Sequence, residues 1–275
     1  MPPAAATPTR CGPKPTGGKE TLLIRGVYTA ASAMLAQETA QAAIANNLAN
    51  VNTSGYKADV ATFKSFSFGA LTRSENGARQ SIGTLGAGSA PDEIALDLTP
   101  GALQATGNNL DVALPNAREF FVVQTPTGAR LTRAGAFHAS ANGTLVDATG
   151  FPLVGRDGRS VRLPSGGPPA TIDAGGNVVG ANGQVIGRLE VVRLAPGAKA
   201  EKEGGRLLRV DNPAALQTVD RPVLAVGSLE TSNVSAVTEM VGMIAAMRAY
   251  EAASKVLQDE DETLGRALSE VARAG

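Results

Sequence analysis

Residues 119–147 read EFFVVQTPTGARLTRAGAFHASANGTLVD, and this stretch decides the middle of the chain. EFFVVQ (119–124) and ARLTR (129–133) flank Pro126-Thr127-Gly128, so two runs of strand-forming residues meet at a turn and predict a hairpin. Asn142-Gly143 repeats the signal between AFHAS and TLVD. Farther out, Asp157-Gly158, Gly175-Gly176 and Asn182-Gly183 continue the turns, and VIGRLEVVRL (185–194) is the longest strand candidate. Short strands at roughly 8–12-residue intervals predict an all-β domain, a sandwich or barrel. Residues 72–92 and 195–206 are rich in glycine and charge and read as loops.

The two ends differ from this middle. Between Leu22 and Val51 there is no proline, and Gly26 is the only glycine. Val27, Ala31, Met34, Ala42, Ala45, Leu48 and Val51 recur at helical steps and form a stripe of small apolar residues. Asn50, Asn52, Thr53, Ser54 and Gly55 then supply a helix stop. From Ser235 to Ala274 the only glycines are Gly242 and Gly265, again without proline. Val237, Met240, Ile244, Met247, Leu257, Leu264, Leu268 and Val271 follow a near-heptad seam, interrupted by Glu251, Ser254 and Asp261. Ser232, Asn233 and Ser235 offer cap oxygens, and Glu239 sits in the first turn, where it complements the helix dipole.

Each terminal helix therefore carries an apolar stripe that no neighbouring helix in sequence can cover. The expected fold is α+β. The terminal helices pair as a coiled-coil-like domain, with each other or with those of other subunits, around a central all-β domain. The expected divisions are a disordered tail at 1–21, a helical assembly domain from 22–60 and 229–275, and a β domain at 61–228. Exposed apolar surface on the isolated chain is the mark of an assembly protein.

Composition removes other classes. The chain has 25 basic and 25 acidic residues, so it lacks the basic surface that nucleic acid requires. Aromatic residues make up 4%, with no tryptophan, which leaves little for base stacking or for a sugar-binding platform. Cys11 and His138 are the only residues of their kinds, so no intramolecular disulfide is possible and no Cys/His zinc site can be assembled. No segment reaches the roughly 20 apolar residues of a membrane helix. The first 21 residues have no apolar h-region and so no secretory signal peptide.

Catalytic motifs fail individually. Gly18-Lys19 is followed by Glu20, and Pro13 takes the first glycine position of a phosphate loop. Gly86-Ala87-Gly88 meets Pro91 at the third glycine of a dinucleotide fingerprint. Neither a nucleophile elbow nor a His-Glu-x-x-His motif is present. Asp92-Glu93 are adjacent acids, and Asp259 to Glu262 point around a helix rather than converging, which reads as a solvated surface. His138 reads as a surface or packing residue. No catalytic residue, cofactor, metal or small-molecule substrate is expected.

The end of the first helix, Asn46-Asn47-Leu48-Ala49-Asn50-Val51-Asn52 followed by Gly55-Tyr56-Lys57, resembles the N-terminal signature of bacterial flagellar rod, hook and basal-body proteins. The C-terminal hallmark is similar in SLETSNVSAVTEMVGMIAAMRAYEAASKVLQ. There Glu230, Ser232-Asn233-Val234, Met243-Ile244, Arg248, Tyr250-Glu251 and Lys255 match. The resemblance spans about residues 24–272. Its one departure is Asn116-Ala117-Arg118-Glu119, where the family usually has Gly-x-Gly before the paired phenylalanines. Within the family, the opening RGVYTAASAML, the ending KVLQDEDETLGRAL and the length resemble the proximal rod member most and the distal rod member next.

The resemblance implies a non-enzymatic subunit of the flagellar basal-body rod, which spans the periplasm and transmits torque from motor to hook. It implies export by the flagellar type III apparatus, and self-assembly with other rod subunits through an inner coiled-coil tube and an outer β layer. The residues it marks for assembly are Asn46, Asn47, Leu48, Ala49, Asn50, Asn52, Gly55 and Tyr56 at one end. At the other they are Ser232, Asn233, Val234, Met243, Arg248, Tyr250 and Glu251, joined by the seam residues Leu257, Leu264 and Leu268. The asparagines would cap the helix and offer amides to packed subunits. The alternative is a secreted β-domain enzyme or carbohydrate-binding module with helical appendages.

Overall fold

The computed structural model describes residues 20–75, 78–164, 170–180 and 182–274. Most of the segment expected to be a disordered tail lies outside the described residues, although Glu20 and Thr21 already belong to the first helix. The class is α+β. Helix α1 (Glu20–Ala49) and helix α2 (Ala236–Ala274) stand at the two ends of a β-rich middle. Among the described residues no helix is long and apolar enough to cross a membrane.

The hairpin decided by the sequence forms as expected. Glu119–Thr125 pairs antiparallel with Gly128–Thr132, from Phe121 opposite Thr132 to Thr125 opposite Gly128. It lies at the centre of a six-stranded sheet, in the order Glu201–Glu203, Leu207–Arg209, Gly128–Thr132, Glu119–Thr125, Val191–Leu194 and Leu216–Thr218. Phe120, Phe121, Val122 and Val123 are all buried because the sheet is covered on both faces, which calls for a continuous apolar run rather than alternation. One core holds Phe121 and Val123 with Phe137, Leu145, Leu153, Ile172, Val178 and Val191. The other holds Phe120 and Val122 with Leu131, Val192, Leu194 and Leu208. Phe121 meets the ring of Phe137 edge-on, with centroids 5.1 Å apart, a favoured aromatic geometry. The second hairpin, Phe137–Ala139 with Leu145–Asp147, also forms as expected.

Three expectations are corrected. Residues 72–92 are not a loop: Asp59–Glu75 (β1) and Ala78–Leu96 (β2) form a long two-stranded ribbon. Its strands hold through mutual backbone pairing and links such as the Thr62 hydroxyl donating to the Glu93 carbonyl at 2.8 Å, and such pairing leaves little apolar signature in sequence. VIGRLEVVRL is not one strand. It divides into Val185–Arg188, which joins a small sheet with Asn177–Val179 and Thr171–Ile172, and Val191–Leu194, which joins the large sheet. Within 195–206, Glu201–Glu203 is the edge strand of that large sheet.

Helix α1 buries a different face from the expected stripe. Ala30, Ala36, Ala43 and Asn47 are buried, whereas Ala42 and Ala45 are exposed. Alanine lets a neighbouring backbone come close, and Asn47 is drawn inward by hydrogen bonds. On α2 most of the seam is open: Val237, Met240, Ile244, Met247, Leu268 and Val271 are exposed, while Leu257 and Leu264 are half-buried.

The chain separates into two compact units. Among the described residues, one comprises those in 20–38, 63–91 and 247–274. The other comprises 39–62 and 92–246, and so holds the β body together with the end of α1 and the start of α2.

Candidate functional site

In the second unit the two signature segments meet in a buried polar cluster. The helix-stop sequence places it there. After α1, Asn50 donates its side-chain amide to the Asn46 carbonyl at 2.9 Å, and Thr53 donates to Asn50 Oδ1 at 3.1 Å. Gly55 then turns the chain at φ +70°, and its N–H donates to the Glu230 carbonyl at 2.8 Å. An added Cβ there would lie 2.4 Å from the backbone of Arg133 and Ala134, so only glycine fits.

The first node centres on Glu230, whose side chain is fully buried. Its Oε1 accepts from Lys57 Nζ at 2.5 Å and from the Gly101 N–H at 2.9 Å. Its Oε2 accepts from Arg133 Nε at 2.8 Å and lies 2.7 Å from Arg133 Nη2 in an ion pair. Lys57 also donates to the Thr99 carbonyl at 2.7 Å. Arg133 spends its remaining donors on the carbonyls of Leu114, Asn116 and Glu119. Burial pushes both cations below their ordinary pKa, opposed by the charge and hydrogen bonds of Glu230.

The turn at 116–119, where the chain departs from the family pattern, supplies two of the Arg133 acceptors. Glu119 is itself buried. Its Oε1 accepts from Arg193 and Asn116, while Oε2 has no hydrogen-bond partner among the described residues. The Glu119 charge still favours the protonated form of Arg133.

The second node joins Asn47, Tyr56, Asp59 and Lys202. Asn47 Oδ1 accepts from the Asp59 N–H at 2.7 Å and the Tyr56 hydroxyl at 3.1 Å. Asn47 Nδ2 donates to the Asp59 carbonyl at 2.9 Å and to Glu239 at 3.3 Å. Lys202 donates to Asp59 Oδ1 at 2.7 Å and lies 3.8 Å from the centroid of the Tyr56 ring, a cation–π contact. Burial first, and then Asp59 and Glu239, raise the Tyr56 phenol well above its usual range. Burial lowers Lys202.

Asn233 completes the arrangement. Its Oδ1 accepts from the Ala58 N–H at 2.8 Å, and its amide donates to the Asp97 carbonyl at 2.9 Å. Two residues on, the Ser235 hydroxyl caps α2 by accepting from the Thr238 N–H at 3.4 Å.

The structure thus brings Asn47, Gly55, Tyr56 and Asn233 together, with Val234 in the adjoining apolar cluster of Tyr56 and Ala58. It leaves Asn46, Ala49, Asn52, Arg248, Tyr250, Glu251 and Leu268 exposed. Leu48, Asn50, Ser232, Met243, Leu257 and Leu264 are half-buried. His138 is exposed, as expected. Sequence reasoning missed Arg133, Lys202 and Glu119. Arg133 follows directly on the strand Gly128–Thr132, which itself carries Arg130, so nothing local in the sequence set it apart. Among the described residues no three acids, histidines or cysteines converge on a point where a metal could sit.

The sequence that builds this site has relatives. Residues 27–57 match the model of the flagella basal body rod protein, 116–186 that of the flagellar hook protein FlgE/F/G D1 domain, and 225–270 that of the flagellar basal body rod FlgEFG protein C-terminal region. The flagellar basal-body rod protein FlgG of Agrobacterium fabrum is 32% identical over 257 residues, covering 87% of this chain and 96% of the relative. The chain belongs to the flagellar basal-body rod protein family. FlgG of Bacillus subtilis is 30% identical, covering 88% of this chain and 97% of the relative. FlgF of Caulobacter vibrioides is 32% identical, with 84% and 90% covered. This is a family of structural rod proteins of the flagellar basal body, not of enzymes or carbohydrate-binding modules. That removes the alternative drawn from sequence.

Proposed function

We propose that this rod-family protein is a subunit that polymerises through its terminal helices and transmits torque from motor to hook. The observation that carries this is the open seam of α2, where Val237, Met240, Ile244 and Met247 are exposed on a helix that begins at a buried polar joint. Such a face gains stability only when other helices cover it. In the assembled rod the terminal helices pack as an inner coiled-coil-like tube, with the β domain outside. Torque is resisted by many small contacts repeated by helical symmetry. The partners are other copies, neighbouring rod subunits and, during delivery, the flagellar type III export apparatus. Exposed Asn46, Asn52, Arg248, Tyr250 and Glu251 supply polar contacts between copies, and Leu257, Leu264 and Leu268 supply apolar ones.

The experiment is a chromosomal deletion complemented in trans. A non-motile deletion strain regains swimming with the intact gene, and the chain is found in basal bodies isolated from that strain. A deletion strain that assembles complete basal bodies and swims normally overturns the proposal.

A further inference from the structure

The end of α1 and the start of α2 are held on the β body by little apolar contact. The cluster beside them contains only Tyr56, Ala58 and Val234 as buried members, with Val51 against it. Where the two helices approach, the space beside Gly242 is filled by Ile44. Apolar packing of this size is non-directional and cannot fix a helix orientation. Buried ionic hydrogen bonds can, because a charge left without its partner is costly.

Glu230 is placed to fix both segments at once. Its carboxylate takes three hydrogen bonds, from Lys57, Gly101 and Arg133 Nε, with Arg133 Nη2 in ion-pair contact, and its backbone carbonyl takes a fourth from Gly55. Lys57 lies eight residues beyond the end of α1, and Glu230 six residues before the start of α2. Asn233 and the Asn47–Glu239 bond brace the same two segments on either side. Arg133 and Gly101 belong to the β body, so Glu230 ties both helix ends to it through one side chain, whereas Lys202 bonds only the segment after α1.

We propose that Glu230 is a positioning residue that locks the end of α1 and the start of α2 to the β body as one unit, so that losing its charge frees both together. Resting on the rod-subunit reading, this names the joint through which load passes between helices and body. A joint of this kind can be opened without unfolding the body, because its small apolar cluster is separate from the two cores of the large sheet and Arg133 keeps its bonds to the carbonyls of Leu114, Asn116 and Glu119 when the Glu230 charge is lost.

The test is amide hydrogen exchange on the full-length chain, comparing the wild type with Glu230→Gln and Asn233→Ala. In Glu230→Gln, exchange at Gly55, Ala58, Asp59, Gly101 and the first turn of α2 is expected to rise at least tenfold. Val122, Val123 and Leu131 keep their protection. Asn233→Ala leaves the charged node intact and should speed exchange at Ala58 while sparing Gly55 and Gly101. Unchanged exchange at Gly55 and Ala58 in Glu230→Gln overturns the proposal, as does equal loss across the large sheet. The second arm is motility of the deletion strain carrying Glu230→Gln, which should be lost. If the joint opens by exchange but the strain swims normally, the lock is not needed for load. The rod-subunit reading would survive that result, because it depends on complementation by the wild-type gene.

Discussion

Gly55→Ala is the sharpest single perturbation of the joint. Two costs arise there. The φ of +70° is left-handed, which charges any side chain about 1–2 kcal/mol. The new methyl would also lie 2.4 Å from Arg133 and Ala134 backbone atoms, which cannot swing aside as a flexible side chain would. Backbone displacement of this kind typically costs about 1–3 kcal/mol. The sum is about 2–5 kcal/mol. Gly183 is the internal control, since its φ is +76° but nothing lies within 4 Å of its added methyl. Gly183→Ala therefore carries only the conformational cost, partly offset by about 0.4–1 kcal/mol of lost freedom in the unfolded chain. Urea unfolding followed by circular dichroism separates the two. With a slope of roughly 2 kcal/mol per molar, Gly55→Ala should lower the midpoint by about 1–2.5 M. Gly183→Ala should move it by about 0.8 M or less. If the two variants unfold at the same urea concentration, the close approach at Gly55 does not constrain the fold.

Other outcomes follow from the same geometry. Phe121→Ala removes a fully buried ring and its contact with Phe137, so stability should fall by about 3–5 kcal/mol in the same urea assay. Leu268→Asp alters a side chain that is 71% exposed, so the melting curve of the purified chain should stay put while soft-agar swimming is lost; normal swimming would show that this part of α2 is no assembly element. Tyr56 gives a pH effect. Its folded pKa is raised above the unfolded value near 10, so the folded form holds its proton longer and the Tyr56 contribution is lost as pH climbs past 10. Wild type should therefore lose stability more steeply than Tyr56→Phe above pH ~10, and parallel curves would contradict the buried hydrogen-bonded phenol.

The sequence showed those features whose partners are close along the chain. The hairpin at 119–132 was legible because Pro126-Thr127-Gly128 falls between two strand-forming runs. Ser235 was legible as a cap because its acceptor role is local. The ribbon of β1 and β2 was not, since its strands hold through backbone pairing and its apolar residues, such as Val60, Phe63, Phe66 and Ile82, stay exposed instead of facing a core. The break within 185–194 was hidden because two neighbouring strands join different sheets, and sheet membership has no local signature. The joint was half-legible. Asn47, Gly55, Tyr56 and Asn233 lie in recognisable signatures, but the reason for them does not. Arg133 meets Glu230 across 97 positions and Lys57 meets it across 173, so a charge that reads as surface in sequence is buried in the fold.

The arrangement around Tyr56 also gives the protein a built-in optical signal. The chain has three tyrosines and no tryptophan, so its ultraviolet emission comes from tyrosine alone. Tyr28 and Tyr250 sit on helix surfaces, whereas Tyr56 is enclosed, with its hydroxyl on Asn47 and near Asp59. A phenol hydrogen-bonded beside a carboxylate loses excited-state energy through proton sharing and emits weakly. Opening the joint would hydrate that ring and brighten it, so an unlabelled sample would report on the state of its own helix attachment.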